Sequence, residues 1–313
     1  MPDPFVSIII PAYNAQDYIR ATLESVAAQT YPDFEVIIVD DSSTDSTGEI
    51  AMSFADDPRF KVIRRQVNGG VAAAENDGVL SARGKWIGLL GADDLWMPDK
   101  LSKQVELART HDDTALIFGN GIEFNDGGDI GPFYRERRKF PEGDVYLRVL
   151  GRNCFWASSV MVKRQDILDA GLFRTDLRAA EDHDMWIKIL RRGGMVRGVW
   201  EPIVRYRIHA ASVSRDRSVV YGCVVAMYTD ALSKARSFEE TAVIRKALAK
   251  AKADLLLAQA HKELRTGGSL RTISSMLISA WVTVPGKPRL LGWTALSMLG
   301  MRARLIKCLS RRW

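Results

Sequence analysis

The 313-residue chain predicts an α/β fold, a mixed and mainly parallel sheet flanked by helices, with a helical extension at its C-terminus. Three observations predict it. Short apolar or β-branched runs alternate with helical patterns up to Phe118, turn residues follow several of those runs, and beyond Arg217 the pattern is helical almost throughout. The hydrophobic content of 47% suffices for one large domain with an appendage.

In chain order, residues 6–10, 34–39, 60–64, 85–90 and 114–118 read as strands. Residues 16–28 place Ile19, Leu23 and Val26 on one helical face, and Ser46-Thr47-Gly48-Glu49 has the spacing of a capping box opening a helix through about Phe54. Strand followed by helix, repeated, implies parallel pairing, and ligands of such sheets bind beyond the carboxyl ends of the strands. Pro11-Ala12-Tyr13-Asn14, Asp40-Asp41-Ser42-Ser43 and Asp93-Asp94 all fall there, so three separated segments converge on one crevice. After Phe118 the regularity weakens. Residues 125–129 form a turn, 135–139 a basic surface loop and 157–162 a strand; 182–191 form a helix ended by Gly193-Gly194, and 195–206 are extended. These readings divide the chain into a catalytic domain at 1–217, with a nucleotide-binding half at 1–118 and an acceptor-binding half at 119–217, and an extension at 218–313.

Adjacent carboxylates repel and are costly to desolvate, so Asp93 and Asp94 read either as a solvated turn or as a pair compensated by a cation. Mg²⁺ or Mn²⁺ would share such oxygens with substrate phosphates.

Charge is unevenly spread. Residues 1–233 carry 28 Lys and Arg against 34 Asp and Glu, whereas residues 234–313 carry 16 against 4. The net +6 therefore belongs to the C-terminal part and does not make the chain a nucleic-acid binder. Cys154, Cys223 and Cys308 fit neither a disulfide framework nor a zinc cluster, and suit a reducing cytosol. The N-terminus enters a strand without the basic and apolar stretch of a secretory signal, which gives a cytoplasmic expectation.

Across roughly residues 5–217 the chain resembles the inverting family 2 glycosyltransferases of the GT-A fold. The resemblance rests on the string from Val6 to Asn14, Glu24-Ser25-Val26 with Gln29-Thr30, and the string from Val39 to Asp45. It continues through Asn68-Gly69-Gly70, Ala92-Asp93-Asp94, Glu181-Asp182 and Tyr206-Arg207-Ile208-His209. It implies that Pro11 and Tyr13 border the nucleotide base, that Asp41 accepts from the uracil imino group, and that Asp93 lies near ribose and metal. Asp94 would ligate a divalent metal, Mn²⁺ or Mg²⁺, and His209 would join it from a loop closing over the donor diphosphate. Arg207 would meet phosphate, unless Arg205 is the one that turns inward. Asp182 would be the general base that inversion requires, a role worth typically about 10²–10⁴-fold. Each residue also has a plainer reading: Tyr13 as a strand-end aromatic, Asp41 as a helix cap, Glu181, Asp182 and Asp184 as an acidic first helical turn, and His209 as a surface residue. One departure stands out. Relatives carry Ala-Arg-Asn where this chain reads Ala74-Glu75-Asn76, so either another cation such as Arg83 or Lys85 substitutes, or the donor pocket differs.

Residues 219–265 and 269–284 read as helices, and residues 290–309 form a second apolar stretch interleaved with Arg302, Arg304 and Lys307. Neither apolar stretch reaches the roughly 20 uninterrupted residues needed to cross a bilayer. Lying on an anionic membrane, as a peripheral protein on the cytoplasmic face of the inner membrane, suits this pattern; packing on protein is the alternative.

Other chemistries fit poorly. A dehydrogenase needs a glycine fingerprint after the first strand, an aspartyl phosphatase an acid pair there, and a nucleotidyltransferase a glycine-rich first loop; Pro11-Ala12-Tyr13-Asn14 supplies none of these. A catalytically silent glycan-binding or scaffold protein would be expected to lose Asp41, Asp94 and Asp182, all of which are present. The expected function is transfer of a sugar from a nucleoside diphosphate, UDP foremost, to a hydroxyl of a cell-envelope or lipid-linked glycan.

Overall fold

A computed structural model describes residues 4–209 and 216–284, with Trp293 and Leu296. It divides into two compact units, residues 1–212 and 213–313.

The first unit opens with β1 (Val6–Ala12), α1 (Ile19–Ala27), β2 (Phe34–Asp40), α2 (Thr47–Met52), β3 (Phe60–Arg64), α3 (Val71–Ser81) and β4 (Trp86–Leu89). The four strands are parallel in the order β3-β2-β1-β4. Central parallel strands are covered on both faces, hence their nearly continuous apolar runs; Ile8, Ile9, Ile10, Ile37 and Ile38 are fully buried. Helix α1 buries Ile19, Leu23 and Val26 as its periodicity requires. Helix α3 lies so close to the sheet that a Cβ at Gly78 would stand 2.4 Å from Ile9 Cγ2. The start of α2 matches expectation, but its cap does not: Asp45, not Ser46, accepts from the Thr47 amide (3.0 Å) and hydroxyl (2.5 Å).

The second half contributes β5 (Leu95–Trp96), α4 (Lys100–Thr110), β6 (Thr114–Asn125), β7 (Gly128–Pro132), α5 (Tyr146–Gly151), β8 (Met161–Lys163), α6 (Arg164–Asp169), α7 (Glu181–Leu190) and β9 (Met195–Arg207). The sheet continues from β4 through β8, β6, β9 and β5 with mixed directions, and β7 forms a hairpin on β6. Two expectations are corrected. Strand β6 runs seven residues beyond Phe118, because it pairs with β9 along its whole length through several register shifts. The stretch 157–162 is not one strand: Ala157–Ser159 form a 3₁₀ turn, fixed by the Ser159 hydroxyl on Trp156 O (2.8 Å), before β8 begins.

The second unit holds α8 (Arg217–Ser233), α9 (Phe238–Thr266) and α10 (Leu270–Thr283), capped by Asp216, Ser237 and Ser269. Gly267, at φ 90°, ends α9, and Leu257, Leu264, Ile273, Leu277 and Trp293 share an apolar core. Apart from Trp293 and Leu296, the apolar stretch expected at 290–309 and the basic terminus lie outside the described residues. No described helix is long and apolar enough to cross a membrane.

Candidate active site

The carboxyl ends of β1, β2 and β4 meet as the strand pattern requires. Ala12 lies opposite Asp40 in the register, the Asp41 amide donates to Ala12 O (2.8 Å), and the Leu90 amide donates to Ile9 O (3.1 Å). Tyr13 is half exposed at 50%, and Pro11 is partly buried beside it. The adjoining loops are locked to each other: Asn14, at φ 47°, takes a hydrogen bond from the Thr44 amide (2.9 Å) and gives its own amide to Ser43 Oγ (3.1 Å). Asp41 is 3% exposed and well supplied with donors. Its carboxylate accepts from the Gly69 (3.0 Å) and Gly70 (2.8 Å) amides and pairs with Arg65 Nη1 at 2.5 Å. Asp41 therefore anchors the Asn68-Gly69-Gly70 loop in this state, and a base would be a further donor to it.

The acidic pair after β4 is divided by environment. Asp94 is 1% exposed, with Oδ2 accepting from Ser158 Oγ (2.5 Å) and Oδ1 from the Arg207 amide (2.8 Å). Burial, then the Asp93 charge, pushes its carboxyl well above the usual range against those hydrogen bonds. Asp93 is partly exposed, and its Oδ2 lies 2.7 Å from His209 Nε2. The His209 ring packs against Tyr18 at 4.7 Å between centroids, and its Nδ1 is buried without a partner. Of the two cations near the strand end, Arg207 turns inward, with Nε donating to Asp93 O (2.9 Å), whereas Arg205 pairs outward with Asp129 (2.5 Å). The Thr22 hydroxyl of α1 lies 2.9 Å from both Ala92 O and Asp94 O, tying this loop to the first helix. Residues 210–215, which follow His209 in the loop expected to close over the donor, lie outside the described residues.

Among the described residues, no three His, Cys, Asp or Glu side chains converge into a self-sufficient metal cage. A divalent cation would draw on Asp93 and His209, which stand together, and on Asp94, the next residue in the chain; such oxygen and nitrogen donors suit Mg²⁺ or Mn²⁺, with phosphate oxygens completing the shell.

Asp182 lies in the first turn of α7, partly exposed, with Asn153 Nδ2 donating to Oδ2 (3.0 Å) and the His183 amide to Oδ1 (2.6 Å). Burial raises its carboxyl, which makes it a better base than an ordinary aspartate. A cleft of about 460 Å³ is lined by Asp182, Asn153, Trp156, Ser158, Tyr134 and Tyr206 among others. Ser158 is the link: it lines the cleft with Asp182 and binds Asp94 through its hydroxyl. The aromatic wall is built by Asn120, whose side chain brackets Tyr134 by accepting from its amide (2.9 Å) and donating to its carbonyl (3.0 Å), and by Phe133 stacked on Trp156 at 3.9 Å.

Glu75 is 3% exposed on α3, and burial, then the charges of Glu181 and Asp182, disfavour its ionised form. The substitute cations expected from sequence are corrected. Arg83 binds Glu35 (3.0 Å) near the start of β2, and Lys85 precedes β4 on the exterior; both lie at the amino ends of the strands, away from the crevice. A cation that does reach the carboxyl end of β2 is Arg65, which bridges Asp41 and Asp77. Sequence reading missed Arg65, Asn153 and Ser158. Arg65 directly follows a predicted strand, a signal that was available, whereas Asn153 and Ser158 lie in irregular chain whose placement depends on tertiary contacts.

The chain matches the family model described as "Glycosyl transferase family 2" over residues 7–167. It is 32% identical over 215 residues to a Bacillus subtilis (strain 168) protein, TuaG, named as a glycosyltransferase of teichuronic acid biosynthesis; the match covers 68% of this chain and 83% of that protein. It is 34% identical over 212 residues to WfaP of Escherichia coli, named a UDP-Glc:alpha-D-GlcNAc-diphosphoundecaprenol beta-1,3-glucosyltransferase, covering 68% of this chain and 80% of that one. Among solved structures it resembles S. aureus TarS 1-349 in complex with UDP-GlcNAc (TM-score 0.63, 19% identity, 97% of this chain and 90% of that). It also resembles the mannosyltransferase PcManGT from Pyrobaculum calidifontis in complex with GDP-Man and Mn2+ (0.63, 20%, 99% and 87%). At these identities the structural likeness is one of fold, and that fold is GT-A.

Proposed function

The chain belongs to glycosyl transferase family 2 and is a nucleotide-sugar glycosyltransferase, and from that premise we propose a metal-dependent, inverting transfer from a UDP-sugar to a hydroxyl of a lipid-linked or cell-envelope glycan. The observation that carries this reading is Ser158, shared between the cleft that Asp182 lines and the carboxylate of Asp94. The two acids then serve one reaction from two walls.

Asp93, Asp94 and His209 would hold the divalent cation, which when bound offsets the negative charge that grows on the departing diphosphate. Tyr13 and Pro11 offer apolar surface to the base, and Asp41 offers an acceptor to its imino group. The Arg207 side chain, directed at the Asp93 backbone, stands beside the phosphate position. Asp182 takes the proton of the acceptor hydroxyl as that oxygen attacks from the face opposite the leaving group; Asn153 and the His183 amide hold the carboxylate in aim. Tyr134, Trp156 and Tyr206 give the cleft flat apolar faces suited to a sugar ring. UDP is favoured because WfaP is named as using UDP-Glc, and a lipid-linked acceptor because WfaP's named acceptor is a diphosphoundecaprenol-linked sugar.

The catalytic domain at 1–217 and the basic helical extension at 218–313 are proposed as separate working parts. The extension's cations and apolar residues suit an anionic membrane surface at which such an acceptor resides. Donor hydrolysis measured across a panel of nucleotide sugars, with Mn²⁺, Mg²⁺ or chelator, tests the core of the reading. Equal rates in chelator would remove the metal, and absence of UDP-sugar turnover would remove the donor. Sedimentation with anionic vesicles before and after deleting residues 269–313 tests the membrane role, which unchanged pelleting rejects.

A further inference from the structure

Glu75 is an acid on an otherwise apolar buried helix face, whose neighbours are Ala72, Ala74, Gly78 and Val79. Its Oε2 is buried without a hydrogen-bond partner, and so is Oε2 of Glu181. Glu181 follows directly on Ala180, a residue held at φ 66°, so the acidic turn is fixed in place by strained backbone. Two buried anionic oxygens with no donor, next to a third carboxylate, are too costly for a fold to carry ionised. A proton is the smallest compensator, because it removes the charge that burial penalises.

We infer that Glu75 and Glu181 keep a proton at neutral pH and act as positioning residues, leaving Asp182 as the carboxylate of the cluster that takes the acceptor proton. The inference rests on the reading of Asp182 as the base. The surrounding charges are committed elsewhere. On α7, Asp184 pairs with Lys188 (2.7 Å) and faces Arg174 (3.8 Å), and His183 bonds Val149 O (2.7 Å) while burial holds its imidazole below the ordinary range. On α3, Asp77 pairs with Arg65 (2.8 Å); from the segment before the 3₁₀ turn, Asn153 faces Asp182 and Arg152 lines the cleft. Burial, followed by the charges of Glu181 and Asp182, raises the Glu75 carboxyl well above its usual range; burial, followed by Asp182, raises Glu181 from 4.5 to about 8.

A carboxyl raised in the native state stabilises it fully below the ordinary value of 4.5, and that stability is lost as pH climbs through about 8. The test is the Tm of the full chain between about pH 6 and pH 9, together with the pH profile of kcat. Wild type should lose several degrees over this window, whereas Glu75→Gln and Glu181→Gln, which imitate protonated carboxyls and leave one such group in place, should each lose about half as much. Parallel declines in wild type and in whichever of the two variants folds would overturn the inference. In kcat, Glu75→Gln should keep the wild-type midpoint of the acid limb, since one uncharged group replaces another; a limb displaced to lower pH would mean that Glu75 is ionised and would overturn the inference. Asp182→Asn should lose turnover yet still show a decline of Tm with pH, so failure of the base assignment and failure of the protonation assignment are read separately.

Discussion

Two carboxylate clusters in the first unit solve the same problem differently. Asp93 and Asp94 are met by donors from distant parts of the chain: Ser158 Oγ, the Arg207 amide and His209 Nε2. Glu75 is buried and Glu181 partly so, and each has one buried oxygen without a hydrogen-bond partner, with like charges from the same cluster acting on both. Buried like charges need an outside positive charge or a proton, and the number of donors already in place distinguishes the two solutions. A cluster braced by hydrogen bonds is held in shape for a cation that would displace the proton burial favours on Asp94; an unbraced one has only the proton.

The contrast breaks most visibly at Asp94. Asp94→Ala should abolish metal-dependent UDP binding and turnover together, measured by calorimetric titration of UDP with and without Mn²⁺; retained metal dependence would move the cation site elsewhere. Asp182→Asn should next cost about 10²–10⁴-fold in transfer while UDP binding with metal persists. Near-normal transfer would transfer the base role to another acid. Ser158→Ala removes one support of Asp94 and should weaken apparent metal affinity by about 10–100-fold, with a smaller change at saturating metal. An effect only on the acceptor KM would place Ser158 with the cleft and not with the metal. The smallest effect is expected at Arg205, whose pair with Asp129 is open to solvent: Arg205→Ala should change stability by less than about 1 kcal/mol and leave metal affinity alone, in contrast to Arg207→Ala.

Much of the first half was legible because its strands are buried on both faces and therefore continuous in sequence. The parallel strands, the amphipathic α1 and the convergence of Pro11, Asp41 and Asp93-Asp94 follow from period and turn chemistry. The acceptor side was legible at α7 and β9, where Glu181 to Leu190 has helical spacing and Met195 to Arg207 is extended. It was not legible from 153 to 159, because Asn153 and Ser158 owe their positions to Asp182, Asp94 and Gly91, partners 29 to 67 residues away. The capping error at α2 has the same local flavour: Asp45 and Ser46 are both competent caps, and the choice fell to the neighbour whose carboxylate also serves Gln16. Glu75 was noticed as a departure, but its consequence depended on what stands across from it.

The Thr22 hydroxyl, lodged between two carbonyls of the acidic loop, makes that loop an extension of the first helix. A part so bolted down has little room to be retuned. Descendants that come to accept a different sugar should therefore accumulate their changes on the aromatic and irregular side, while the cation's cradle is inherited whole.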